Sequence, residues 1–167
     1  MYDKLTKNDI KRLEEEIEHR KLVVRKKAIE AVKEARSHGD LSENFEYYAA
    51  KKEKNQNESR IRYLEKMIRT ANVVEDVSGE DEVGLDNTVQ VYFPDDDITE
   101  TYKLVTAVRG DSLSNLITIA SPLGKALLKH KTGDTVTVKV NENYSYEVIV
   151  KSIEKTSDEG KEKIRRF

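Results

Sequence analysis

Apolar residues recur at Ile10, Leu13, Ile17, Val24, Ala28, Ala31 and Ala35. Steps of three and four, with one gap at Arg20, belong to a helix with a narrow apolar seam. No Pro or Gly interrupts the stretch from Thr6 to His38. The pattern breaks at His38-Gly39-Asp40 and restarts at Leu41, again free of Pro and Gly as far as Ala71. The second seam is clear at Ile61, Leu64 and Ile68 and polar around Gln56. Two helices of roughly 30 residues, rising 1.5 Å per residue, span about 45 Å each. Gly39 suits a left-handed helix stop, and so short a break permits only an antiparallel turn. The pattern predicts an antiparallel coiled-coil hairpin over 1–75 with an acidic tip at 38–46.

The periodicity then changes. Residues 72–87, "NVVEDVSGEDEVGLDN", carry two glycines and an acidic cluster and read as connecting chain, with the linker placed at 76–87. Short runs rich in Val, Ile, Thr and Tyr follow at 88–93, 101–107, 116–120, 135–140 and 146–153. Their partial alternation predicts strands. "SPLGKALLKH" (121–130) predicts one short helix, with Ser121 as N-cap and Pro122 in the first helical position. The tail "SDEGKEKIRRF" is expected to fray. The fold class is α+β: a long helical hairpin, then a small β-rich domain over 88–167 with one short helix.

Composition agrees with an elongated part joined to a compact one, because charged and hydrophobic residues each make up 37% of the 167 residues. The net charge of −2 does not describe a basic nucleic-acid binder. The absence of cysteine excludes disulfides and thiolate metal sites and fits a cytoplasmic protein. The first residues lack an apolar signal core, and no run is apolar enough to cross a membrane. Three scattered histidines do not suggest a His-rich metal site.

Asp40 and Glu43, at the break, have two readings. Asp-x-x-Glu is a capping-box pattern, and both acids suit the positive end of a helix dipole. The flanks give the pair another context. Arg20, Lys21, Arg25, Lys26, Lys27, Lys33 and Arg36 precede it, and Lys51, Lys52, Lys54, Arg60, Arg62, Lys66 and Arg69 follow it. Such runs are commonly solvated helix faces. An acidic point on a basic shaft also suits a hard divalent cation at the end and a phosphate backbone along the side.

"HGDLSENFEYYAAKKEKNQNESRI" closely resembles the signature of the bacterial transcript-cleavage factors GreA and GreB, and its core is the more GreA-like form. "ITIASPLGKALLKHKTGDTVTVKV" resembles the second signature of the same family. The resemblance implies a FKBP-like C-terminal domain that docks on bacterial RNA polymerase, with Ser121 and Pro122 in the docking turn. It implies a coiled coil that enters the secondary channel. At its tip, Asp40 and Glu43 help hold a Mg²⁺ ion shared with the polymerase. The polymerase then hydrolyses the 3′ end of backtracked RNA. The factor is not itself an enzyme and is expected to be a monomer. Arg36, Lys51 and Lys52, within about three turns of the tip, are the candidate RNA contacts. Tyr47 and Tyr48 have two readings, base stacking or packing. Three positions depart from the family pattern: Phe45 replaces a small residue, Ala120 an acid, and Lys129 a common glycine. The competing functions are a channel-binding regulator that does not stimulate cleavage, a prolyl isomerase and a coiled-coil adaptor.

Overall fold

The computed structural model of the chain describes residues 3–39 and 44–166. Its elements in order are β1 (Lys4–Leu5), α1 (Lys7–His19), a π-helical segment (Arg20–Val24), α2 (Arg25–Arg36), α3 (Phe45–Arg69), β2 (Asn72–Val73), β3 (Thr88–Phe93), β4 (Ile98–Val105), β5 (Leu116–Thr118), α4 (Pro122–Leu127), β6 (Thr135–Lys139) and β7 (Ser145–Glu154). The chain divides into two units: Ile10–Ala71, and Met1–Asp9 together with Asn72–Phe167. The α+β class is therefore observed. The boundaries differ from those expected, because residues 1–9 and 72–87 belong to the unit that holds the sheet.

The helical unit is an antiparallel pair. Glu16 meets Arg60 at 3.0 Å, Arg25 meets Glu58 at 2.8 Å and Lys21 meets Glu65 at 2.7 Å. Leu13, Ile61, Leu64 and Met67 are buried, as are Val32, Ala35 and Tyr47 nearer the turn. Val32 takes the seam place expected of Ala31, which is exposed. The gap at Arg20 marks the start of the π segment, where the Arg25 N–H donates to the Arg20 carbonyl, one residue further than in an α-helix. Asn57, 4% exposed, donates its Nδ2 to that same carbonyl at 3.2 Å and accepts from Arg20 Nη1 at 3.1 Å. The polar middle of the second seam is thus a satisfied contact with the widened turn. A buried amide with partners costs far less than one without.

In the second unit, a five-stranded sheet has the order β5-β4-β3-β7-β6. Only β4 and β5 pair in parallel; the other neighbours are antiparallel. β3 shows why these residues form a half-buried strand: Val89 and Val91 are fully buried and Gln90 between them is exposed. They join Leu104, Val136, Val138, Val148, Val150 and Leu127 of α4 in one core. A separate short sheet pairs β1 with β2 in parallel.

Residues 76–87, expected to be a linker, are instead held against this core. Val83 and Leu85 are buried. The Lys155 ammonium donates to Ser78 Oγ at 2.6 Å, to the Gly79 and Glu82 carbonyls at 2.9 and 2.8 Å, and to Asn87 Oδ1 at 2.8 Å. The tail is also anchored rather than frayed. Glu162 pairs with Lys103 at 2.7 Å, and the Arg165 N–H donates to the Val108 carbonyl at 2.8 Å.

Arg109 explains much of this arrangement. Its side chain is fully buried; Nε donates to Asp9 Oδ1 at 2.7 Å, and both terminal nitrogens donate to the Asp86 carboxylate. Asp158 and Glu162 lie 3.7 and 3.6 Å away. Burial opposes the charged guanidinium. The Asp86 hydrogen bond and the charges of Asp9, Asp86 and Asp158 outweigh burial and hold the group protonated, above its ordinary range. Asp9 also accepts from the Thr6 N–H at 3.0 Å and the Thr106 hydroxyl at 2.6 Å, while Thr6 Oγ1 accepts from the Asp9 N–H at 3.0 Å. This reciprocal cap starts α1.

Candidate functional site

The hairpin turn is built from its two helix ends. α2 stops at Ser37, whose N–H reaches the Glu34 carbonyl at 3.0 Å, and Gly39 follows at φ +126°. Only glycine adopts that conformation without strain. The expected catalytic and metal residues Asp40 and Glu43 lie outside the described residues. α3 begins at Phe45, and its cap is Asn44. The Asn44 Oδ1 accepts from the Tyr47 N–H at 3.1 Å, while its Nδ2 donates to the Ala35 carbonyl at the end of α2. One amide therefore caps α3 and ties it to α2. The sequence pattern puts the start of the second helix at Leu41 with Asp40 as its cap; in the structure the helix starts four residues later and Asn44 caps it. The Asn44-x-x-Tyr47 spacing offers no reciprocal acid, which is why a capping-box pattern passes over it.

Tyr47 is a pillar of the turn, not a free ring. It is 9% exposed and packs with Val32, Ala35 and Ala50. The Arg36 guanidinium lies 5.5 Å from its ring centroid and the Lys51 ammonium 5.9 Å. A hydrogen bond from Arg36 holds its hydroxyl below the usual phenol range; burial opposes this, and the Lys51 charge reinforces it. The structure thus brings two of the three candidate RNA contacts, Arg36 and Lys51, to one ring. Lys52 is exposed and has no such partner among the described residues. Phe45 is 86% exposed and Tyr48 51%, with the Tyr48 ring edge-on to Tyr47 at 5.5 Å. His38 Nδ1 lies 2.9 Å from Glu46 Oε2 across the turn, both exposed.

In the sheet unit, Ser121 does what its local sequence predicts. Its Oγ accepts from the Gly124 N–H at 3.1 Å and donates to the Thr118 carbonyl at 2.7 Å. A side chain at Gly124 would run into that carbonyl, so the residue keeps α4 close to the end of β5. Pro122, in the first turn, is exposed. Lys129, at the position where glycine is common in the resembled family, has φ +68°. The left-handed backbone accounts for that glycine preference. A cavity of about 570 Å³ lined by Lys7, Asp76, Asp86 and Lys155, among others, contains none of the expected site residues.

Among the described residues, no cluster of three His, Asp or Glu side chains is placed to hold a metal ion, and no helix is long and apolar enough to cross a membrane.

Residues 4–73 match the family described as transcription elongation factor, N-terminal, and residues 78–155 match transcription elongation factor GreA/GreB, C-terminal. The chain is 40% identical to transcription elongation factor GreA of Streptococcus pneumoniae over 154 residues, covering 92% of this chain and 96% of that one. It is 40% identical to GreA of Streptococcus sanguinis over 153 residues, covering 91% and 95%. Among solved structures, GreA factor homolog 1 of Thermus thermophilus matches at 30% identity and a TM-score of 0.40, covering 90% of this chain and 97% of that one. With both halves matched in order, the chain belongs to the GreA/GreB family of transcription elongation factors.

Proposed function

We propose that the chain acts on bacterial RNA polymerase, entering its secondary channel with the helical hairpin and stimulating Mg²⁺-dependent cleavage of backtracked RNA. The observation that carries this reading is the cap at Asn44. Asn44, not Asp40, occupies the N-cap position of α3, which leaves the two acids of the signature available to an ion. The donor set, Asp40 and Glu43, is hard oxygen, which suits Mg²⁺ and leaves other positions to polymerase carboxylates, RNA and water. When bound, the ion supplies an activated water and charge stabilisation for the leaving oxygen.

The chain's own contribution is positional. Asp40 and Glu43 would hold the shared ion. Arg36 and Lys51, fixed against Tyr47, and Lys52 beside them offer cations to the RNA phosphates near its 3′ end. Ser121 shapes the turn that presents Pro122 for docking. The chain completes a site on another enzyme and works in the compartment where that enzyme transcribes, the cytoplasm.

The test adds the protein and Mg²⁺ to a backtracked polymerase complex carrying 3′-labelled RNA. The wild type is expected to release short labelled fragments. The Asp40→Asn, Glu43→Gln double variant should bind equally well and release none. Binding without release by the wild type would overturn the cleavage reading in favour of a channel-binding regulator.

A further inference from the structure

Four aromatic residues gather at one end of the sheet from three separate stretches of chain. β3 ends in Phe93, Tyr102 lies on β4, and Tyr144 and Tyr146 flank the first residue of β7. The Phe93 and Tyr146 rings stack with centroids 6.2 Å apart and planes 28° apart. Tyr102 meets Phe93 edge-on at 6.3 Å, and Tyr144 tilts over Tyr146 at 5.9 Å. Phe93, Tyr102 and Tyr146 pack on the core, which fixes their orientation, whereas Tyr144 is 57% exposed.

A cavity of about 190 Å³ opens beside them, lined by Phe93, Asp95, Asp96, Tyr144, Tyr146 and Glu147. The lining has three carboxylates and no Lys or Arg. None of the three carboxylates has a side-chain hydrogen bond or ion pair among the described residues, unlike the acids around Arg109. The Tyr102 phenol, packed against Phe93, is held above its usual range by burial first and by the Glu100 charge second. Glu100 thus adds one further carboxylate charge close to Tyr102.

Size and chemistry narrow the occupant. Pockets for small organic ligands commonly run from about 300 to 1,000 Å³, so this cavity suits one long side chain. The carboxylates are not grouped closely enough to hold a metal ion. Phosphates would be repelled, and an apolar plug would cover carboxylates without pairing them. A guanidinium meets every demand: its plane stacks on aromatic faces, and its fork takes carboxylates two bonds at a time. We propose that this acid-rimmed aromatic cavity receives an arginine side chain from a partner protein.

The test uses the full chain, isotope-labelled, with N-acetyl-arginine methylamide as probe and its uncharged near-isostere N-acetyl-citrulline methylamide as control. Arginine is expected to give saturable NMR shifts centred on Phe93, Tyr144 and Tyr146, with citrulline much weaker at the same signals. Tyr144→Ala should weaken arginine binding about five-fold, the scale of an exposed cation–ring contact, while Tyr144→Phe retains it. Asp95→Asn with Asp96→Asn and Glu147→Gln should weaken it further. Equal titration by citrulline, shifts centred elsewhere, or wild-type titration by the Tyr144→Ala variant would overturn the proposal. The arginine–citrulline comparison is made on the wild type, so it decides the matter even where a variant does not fold.

Discussion

Replacing Asn44 should open the hairpin turn, and replacing Asp40 should not. Asn44→Ala removes an N-cap acceptor from the Tyr47 N–H and a donor from the Ala35 carbonyl. Loss of such a cap typically costs about 1 kcal/mol, and the second hydrogen bond contributes about 1 kcal/mol more. The sum of about 2 kcal/mol is roughly a 30-fold change in the local opening equilibrium, since 1.4 kcal/mol is tenfold. Native-state hydrogen exchange at the Tyr47 amide reads this directly, because that N–H is the one Asn44 caps. Asn44→Asp keeps the acceptor but loses the donor, so it should recover about half the protection. Asp40→Ala is expected to change Tyr47 exchange little, within about 0.5 kcal/mol, because the acceptor of that N–H is Asn44. If Asp40→Ala speeds Tyr47 exchange as much as Asn44→Ala does, Asp40 is the cap and its chemical role loses its support.

Other expectations follow from the same geometry. Arg109→Met leaves Asp9 and Asp86 buried without their cation and should cost about 3–5 kcal/mol, the usual penalty for breaking a buried pair; a melting temperature close to wild type would refute it. Lys129→Gly relieves a left-handed backbone and should stabilise by about 1 kcal/mol, raising the midpoint of urea unfolding; a lowered midpoint would refute that account. Acid should loosen the hairpin. Glu16 is partly buried, which alone raises its pKa, but hydrogen bonds from Arg60 and Arg20 outweigh burial and lower it. Arg25 and Lys21, through hydrogen bonds, lower Glu58 and Glu65. Folded values below unfolded ones contribute stability that is present above the ordinary 4.5 and lost as pH falls through the folded values. Helical circular dichroism should therefore hold at pH 6 and weaken below about pH 4.5, and Glu16→Gln should flatten that dependence. A wild-type loss that begins above about pH 6 would point to another group.

What could be read from the sequence is what depends on neighbours a few residues apart. β3 runs over 88–93 as its alternation predicts, and α4 starts after Ser121 as the Ser-Pro pair predicts, because both rest on contacts within about four positions. The misplaced segments are those held by polar bonds and burial that join positions far apart along the chain. Asp9 and Arg109 are 100 positions apart, and Lys155 and Ser78 are 77 apart. No periodicity records such a bond, so 72–87 reads as a linker and the tail as loose. Asn57 is a related case: a buried amide in a seam looks like a fault until the widened turn opposite supplies its partner. The hairpin tip combines both situations. Asp40 and Glu43 match the spacing of a local cap, and on spacing alone they compete with Asn44. Asn44 adds a bond to the carbonyl of Ala35, nine positions back on the other helix, which no local pattern contains. That tertiary bond places the start of α3 at Phe45. We propose that the carboxylate pair, which does not occupy the N-cap of α3, serves a hard cation.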